Sequence, residues 1–312
     1  LSVSYRGTRG VRLLQLREGN PTAAQIRPDG QRFWSGNEPR TNPNWEDIVL
    51  LTAGGGSWYN GLQVGLSKRA THGLQFQTSY TWSKVLDDTQ GQGFGDLNRI
   101  QGDMGADPGN IRYDWGPAAF DYAHNFTQNA IYHLPNFVGS GGMEKLLNGW
   151  WMSGILTLNS GFSFTPTIQR QWARSGIRGQ EIRIDRPNVK PGRNNDNIVL
   201  GGPEKYFDFN AFELQPRGFK GNSSRGMLRG PGLASLDFSV VKDTAVGFLG
   251  EGGKLQFRAE FFNLLNRVNF AWPRARVFAG RRENEAPFSN AGVINEILGT
   301  SRQIQLALRL EF

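Results

Sequence analysis

Ile304-Gln305-Leu306-Ala307-Leu308-Arg309-Leu310-Glu311-Phe312 decides the fold class. Apolar residues hold every even position and Gln, Ala, Arg and Glu the odd ones. That period of two puts one set of side chains on each face of a β-strand. Gly73-Leu74-Gln75-Phe76-Gln77-Thr78-Ser79-Tyr80-Thr81-Trp82-Ser83-Lys84 reads the same way, with Leu74, Phe76, Tyr80 and Trp82 on one face and Gln75, Gln77, Ser79, Thr81 and Ser83 on the other. Leu62, Val64 and Leu66 precede it across a short turn, Ala70-Thr71-His72-Gly73. Noisier alternation runs over 122–134, 147–160, 233–243 and 254–266. Two short stretches, 1–7 and 11–17, flank an expected turn at Thr8-Arg9-Gly10, and no long amphipathic helix pattern occurs.

Composition points the same way. Glycine is 41 of 312 residues, well above the usual share of about 7%. Aromatics reach 12% while hydrophobic residues stop at 38%, which excludes a disordered chain poor in aromatics. No run approaches the roughly 18 apolar residues of a spanning helix. Zero cysteines exclude a disulfide scaffold, thiolate metal sites and a cysteine nucleophile. The net charge of +8 and pI near 9.9 raise the question of nucleic acid. The basic residues are spread through loops rather than gathered on one face, so no nucleic-acid partner is expected.

Connections alternate short and long along the chain: 8–10, 70–73, 135–146 and 244–253 against 18–57, 87–121, 161–232 and 267–301. A soluble sandwich has no reason to segregate loop lengths. An outer-membrane β-barrel does, with short periplasmic turns and long extracellular loops. With Phe312 at the periplasmic end, Trp58, Tyr59, Tyr80 and Trp82 fall near the outer membrane interface and Tyr132, Trp150 and Phe312 near the inner one. Amphipathic rings collect at both membrane–water boundaries of a barrel. The expected fold is all-β: an antiparallel transmembrane β-barrel with long extracellular loops, in a Gram-negative outer membrane. The pattern gives nine strands, or ten with one near Ile48–Thr52. An odd antiparallel set cannot close with regular pairing, so residues 1–312 read as the C-terminal portion of a larger barrel, with plug and signal peptide absent.

Trp58-Tyr59-Asn60-Gly61-Leu62-Gln63-Val64 leading into Gly73–Lys84 resembles the barrel of TonB-dependent outer-membrane receptors, in particular the Oar-like group that carries a carboxypeptidase-regulatory domain. Phe120-Asp121 with His124-Asn125-Phe126, Leu147-Asn148-Gly149-Trp150, Ser160-Gly161-Phe162-Ser163-Phe164-Thr165-Pro166, Leu228-Arg229-Gly230-Pro231-Gly232 and Leu255–Asn263 extend the likeness along nearly the whole chain. The family usually has two arginines between that Asp and His, where this chain has Tyr122 and Ala123. The resemblance implies a 22-stranded barrel, an N-terminal plug and a box that contacts the energy-coupling protein TonB.

No catalytic constellation emerges, and an enzyme is not expected. His72, His124 and His133 lie in a turn and one strand, in no metal or triad spacing. The cluster Gly91-Gln92-Gly93-Phe94-Gly95 lacks the strand and helix context of a phosphate loop. Loop 87–121 holds Asp87, Asp88, Asp96, Asp103, Asp107, Asp114 and Asp121. Such oxygens could hold Ca²⁺, although the spacing matches no calcium loop and no cofactor is otherwise expected. Loop 161–232 is basic, and Arg170, Trp172, Arg174, Arg178, Arg183 and Arg186 are the candidates there for an anionic solute or lipopolysaccharide phosphate. The expected role is a receptor or transporter segment that walls a polar lumen and captures a solute: a siderophore, oligosaccharide or peptide. Expected partners are outer-membrane lipid, lipopolysaccharide, the remaining barrel and plug or another chain, and through them TonB. The alternatives are a plug-free structural, adhesive or filament-forming relative and a soluble β-rich binding protein.

Overall fold

The structure, a computed structural model, describes residues 1–89, 105–139, 143–177, 185–247, 250 and 252–312. Eight long strands form one antiparallel meander: β1 (Ser2–Glu18), β2 (Val49–Thr71), β3 (Leu74–Asp87), β4 (His124–His133), β5 (Trp150–Asn159), β6 (Leu233–Ala245), β7 (Lys254–Phe262) and β8 (Gln303–Glu311). Each pairs only with its neighbours in sequence, apart from a two-residue strand, Gly116–Pro117, on the outer end of β3. Among the described residues no helix is long and apolar enough to cross a membrane.

Register turns the alternation into two faces, because residues directly opposite in an antiparallel pair project to the same side. One row runs Leu306, Ala259, Val240, Met152, Tyr132, Leu74 across six strands. The row beside it, on the other face, runs Gln305, Glu260, Ser239, Ser153, Ile131, Gln75. Among the described residues nothing covers the first face: Leu306 is 67% exposed and Leu308 71%. A contiguous apolar surface that large is stable against hydrocarbon and unstable against water.

The first strand corrects the expected layout. Thr8-Arg9-Gly10 is no turn; it lies inside β1, opposite Tyr59, Trp58 and Ser57 of β2. Thr8 suits a strand, Arg9 lies over the Trp58 ring, and Gly10 sits where a Cβ would come within 2.4 Å of the Ser57 Oγ. The chain bends instead at a bulge between Val11 and Gln15, with Arg12 at φ 57°. Ile48–Thr52 is no extra strand either, since Val49 opens β2. Among the described residues the main sheet therefore has eight long strands rather than nine, and Leu1 lies at the same end as Phe312. The parity argument falls with the count. The sheet is nonetheless open: among the described residues β1 and β8 each pair on one side only.

The turn between β2 and β3 is as tight as expected. His72 and Gly73 have φ of 51° and 79°, the pair of positive values that matches strand twist in a two-residue hairpin. Gly73 is required twice, because a Cβ there would meet the His133 carbonyl oxygen at 2.2 Å.

The buried core lies outside the sheet. Phe164, Ile168, Trp172, Phe207, Phe212 and Leu228 from the β5–β6 connection pack with Val277, Phe278 and Ile294 from the β7–β8 connection. The connections 19–48, 88–123, 160–232 and 263–302 all leave the end of the sheet opposite Phe312. Together they build a packed layer over it.

Candidate functional site

Oppositely charged loops clamp this layer together. Asp87 pairs with Arg225, Asp114 with Arg186 at 3.3 Å, and Asp121 with Arg229, so the acidic connection after β3 is tied three times to the basic one after β5. Lys84 adds a contact to Asp121 at 3.4 Å, and Asp88 accepts from the Gly56 amide at 2.8 Å. The described acids proposed above for Ca²⁺ are thus engaged by basic side chains or main-chain donors. Asp96, Asp103 and the glycine cluster 91–95 lie outside the described residues. Among the described residues no three His, Asp or Glu side chains are grouped to hold a metal ion.

A cavity of about 580 Å³ opens where three connections meet. The first loop contributes Gln31 and Arg32, the second Asp107, Asn110 and Tyr113, and the third Asn188, Gln215, Lys220 and Asn222. Its charges are internally matched. Arg32 Nη1 bonds Asp107 Oδ1 at 2.6 Å, and Lys220 Nζ bonds Asp185 Oδ1 and Ser175 Oγ, both at 2.9 Å. Burial pushes the Asp107 carboxyl above the usual carboxylate range, outweighing the pull of Arg32. Burial also raises the Tyr113 phenol.

The candidates named from sequence stand around this cavity rather than in it. Arg186 is 3% exposed; its guanidinium lies 3.7 Å from the Tyr113 ring centre, and Nη2 donates to the Tyr113 carbonyl oxygen at 2.6 Å. Trp172 is 1% exposed and donates from Nε1 to the Gln215 carbonyl oxygen at 2.7 Å. Both brace the wall from behind. Arg174 binds the Ser35 carbonyl oxygen of the first loop, Arg170 is exposed and away from the cavity, and Arg178 and Arg183 lie outside the described residues. Sequence reasoning missed the lining residues because they come from three separate loops and share no motif.

The interface aromatics separate by face. Trp58, Tyr80, Trp82, Tyr132 and Trp150 fall on the apolar face, level with Leu86, Val64, Leu62, Leu74 and Lys242 respectively, and Phe312 continues the same alternation. Tyr59 is the exception. It faces Thr8 and Val85 on the other side of the sheet. Tyr80 and His124 meet at the outer end through a 2.8 Å bond between the phenol and Nδ1. The polar face carries Asp243, which accepts from Trp151 Nε1 at 3.1 Å and Gln256 Nε2 at 2.9 Å, and the Lys254–Glu311 pair at 3.2 Å.

A two-faced meander with one end turned tightly and the other built into loops is the form of an outer-membrane barrel wall, and the model of the outer membrane beta barrel domain family matches residues 1–305. The chain belongs to that family. As an outer membrane β-barrel domain it resides in the bacterial outer membrane, apolar face to lipid and polar face inward. The crystal structure of the outer membrane transporter YddB from Escherichia coli is similar over 98% of this domain and 29% of the transporter, at 10% identity and a TM-score of 0.47. The domain thus spans less than a third of that transporter's length. No curated protein matches it.

Proposed function

We propose that the chain is the C-terminal part of the barrel of a TonB-dependent receptor of the Oar-like group, and that its loop layer captures a solute for passage through a polar lumen. The observation that carries this reading is the open sheet: apolar outward, polar inward and, among the described residues, unpaired along one side of both β1 and β8. In hydrocarbon an unsatisfied backbone group costs several kcal/mol, so further strands have to complete the wall. The motif resemblance supplies what those strands belong to: a larger barrel whose plug contacts TonB. The three-way loop cavity supplies a place for the solute outside the membrane. On this reading the chain itself does no chemistry and uses no cofactor; it walls, binds and orients.

Site-specific photocross-linking in cells tests the energy-coupling role, with a probe in the plug region of the full-length protein. A TonB adduct that disappears when the proton gradient is collapsed is expected. A full-length protein without a plug, or without any TonB adduct, would overturn the receptor reading in favour of a structural or adhesive barrel.

A further inference from the structure

The cavity between Arg32, Tyr113, Asn188 and Lys220 has a chemistry that selects among solutes. Its two cations are committed to Asp107 and Asp185, so neither is left over for an anionic ligand. Among the described residues a ferric catecholate or a phosphate would meet paired charges only. No Leu, Ile, Val or Met among the described residues lines the space; its apolar part is Pro216 with the Phe219 and Tyr113 rings, flat faces that suit the C–H face of a sugar ring better than the branched side chains of a peptide. Neutral amides remain. Asn188 Oδ1 accepts from the Asn222 amide at 2.9 Å and Asn222 Oδ1 accepts from the Val189 amide at 2.7 Å. With both side-chain carbonyls taken by main-chain donors, these two residues offer their NH₂ groups. Gln31 and Asn110, both exposed at the rim, add groups that donate and accept. Gln215 donates to the Phe219 carbonyl oxygen at 3.1 Å and keeps Oε1 buried without a partner.

We infer that this cavity binds a neutral, hydroxyl-rich solute, an oligosaccharide unit, through the amides of Asn188, Asn222 and Asn110. A sugar hydroxyl both donates and accepts, which matches a wall of carboxamides better than a charged or apolar ligand does. The volume of about 580 Å³ lies within the usual range of about 300–1,000 Å³ for sites holding molecules of that size. The inference deepens the receptor reading by naming its solute class, and rests on it for the route the solute takes.

The test is isothermal titration calorimetry on the full-length protein, purified from outer membranes in detergent. The probes are maltotriose, xylotriose and N,N′,N″-triacetylchitotriose, with tri-alanine and a ferric catecholate alongside. Saturable binding of at least one trisaccharide is expected. Asn188→Asp with Asn222→Asp keeps both accepted main-chain bonds, replaces the NH₂ donors by anionic oxygens, and should weaken that binding at least tenfold. Asn284→Asp, outside the cavity, should leave it unchanged. No trisaccharide binding, binding of the peptide or catecholate alone, or indifference to the paired substitution would each overturn the inference. Sugar binding without TonB adducts would remove the receptor reading and leave this one standing; TonB adducts without sugar binding would do the reverse.

Discussion

Arg229 grips Asp121 from 108 residues away, donating from Nη1 to its main-chain oxygen at 2.7 Å and pairing Nη2 with its fully buried carboxylate. The same Nη1 reaches the Gly161 carbonyl oxygen at 3.1 Å. Asp121, Gly161 and Arg229 belong to three of the separate stretches that gave the chain its resemblance to TonB-dependent receptors. In the fold they are one joint, at the outer rim where β3, β4 and β5 hand over to the loop layer. Leu228 and Arg229 also pair with Phe164 and Ser163 as a short antiparallel ladder beside it.

Breaking that joint should loosen the loops without opening the sheet. Arg229→Ala leaves a buried carboxylate with Lys84 and the Val85 amide alone. Removing one partner of a fully buried pair costs about 3–5 kcal/mol, and the partial exposure of the Arg229 side chain lowers the expectation to roughly 2–3 kcal/mol. Trypsin added to intact cells should then cut within 160–232 while heat-modifiable migration is retained. Wild-type resistance to trypsin would show the joint to be dispensable.

The facing assignment makes opposite forecasts for neighbouring residues. Leu306→Arg puts a cation into lipid near mid-membrane and should destabilise by roughly 2–4 kcal/mol. Gln305→Arg places its charge on the polar face, opposite Glu260, and should be nearly neutral. Refolding into lipid vesicles at increasing urea measures both; equal damage would refute the two-faced sheet.

Alkali should attack the loop core before the sheet. Burial raises the Tyr206 phenol from 10.0 to about 12. In the unfolded chain it ionises near pH 10, so between pH 10 and 12 the folded state holds more protons than the unfolded one, and stability falls as pH rises. Tyr206→Phe should abolish this component of the loss. The check is protease sensitivity of the loops across that pH window; identical profiles for the variant and the wild type would exclude Tyr206 as the source.

The isolated 312-residue chain should fail to form a stable monomeric barrel in detergent, because the free sides of β1 and β8 expose their ladders. A protease-resistant, heat-modifiable monomer from this chain alone would mean that the two edges meet each other.

What could be read in advance, and what could not, divides at the membrane boundary. Ile304–Phe312 and Leu74–Ser83 announced their faces because a strand with one side in lipid and one in water must alternate, whatever its neighbours. Thr8-Arg9-Gly10 misled because Thr-Arg-Gly is turn-like in isolation, while the tertiary partners Trp58 and Ser57 hold it extended. The loop core was illegible. Phe164, Trp172 and Phe278 carry no period, being set by contacts between distant connections. The arginines of 170–186 read as a set for an anionic solute, and only the fold reveals that Arg186 is consumed by Asp114 and Tyr113.

Ile168 lies alongside Phe278 in a parallel pair, yet the whole β6–β7 hairpin separates them in sequence. Ile168 and Phe278 reach full burial only when both connections lie on the outer side of the sheet. Their packing against each other can therefore be completed only after β6 and β7 are in place between them. Once joined they form one packed cluster of side chains. A layer that sets last opposes withdrawal of the strands beneath it, as a pawl holds a ratchet. Protease outside the cell should accordingly cut 160–232 in newly inserted chains and spare it in mature ones.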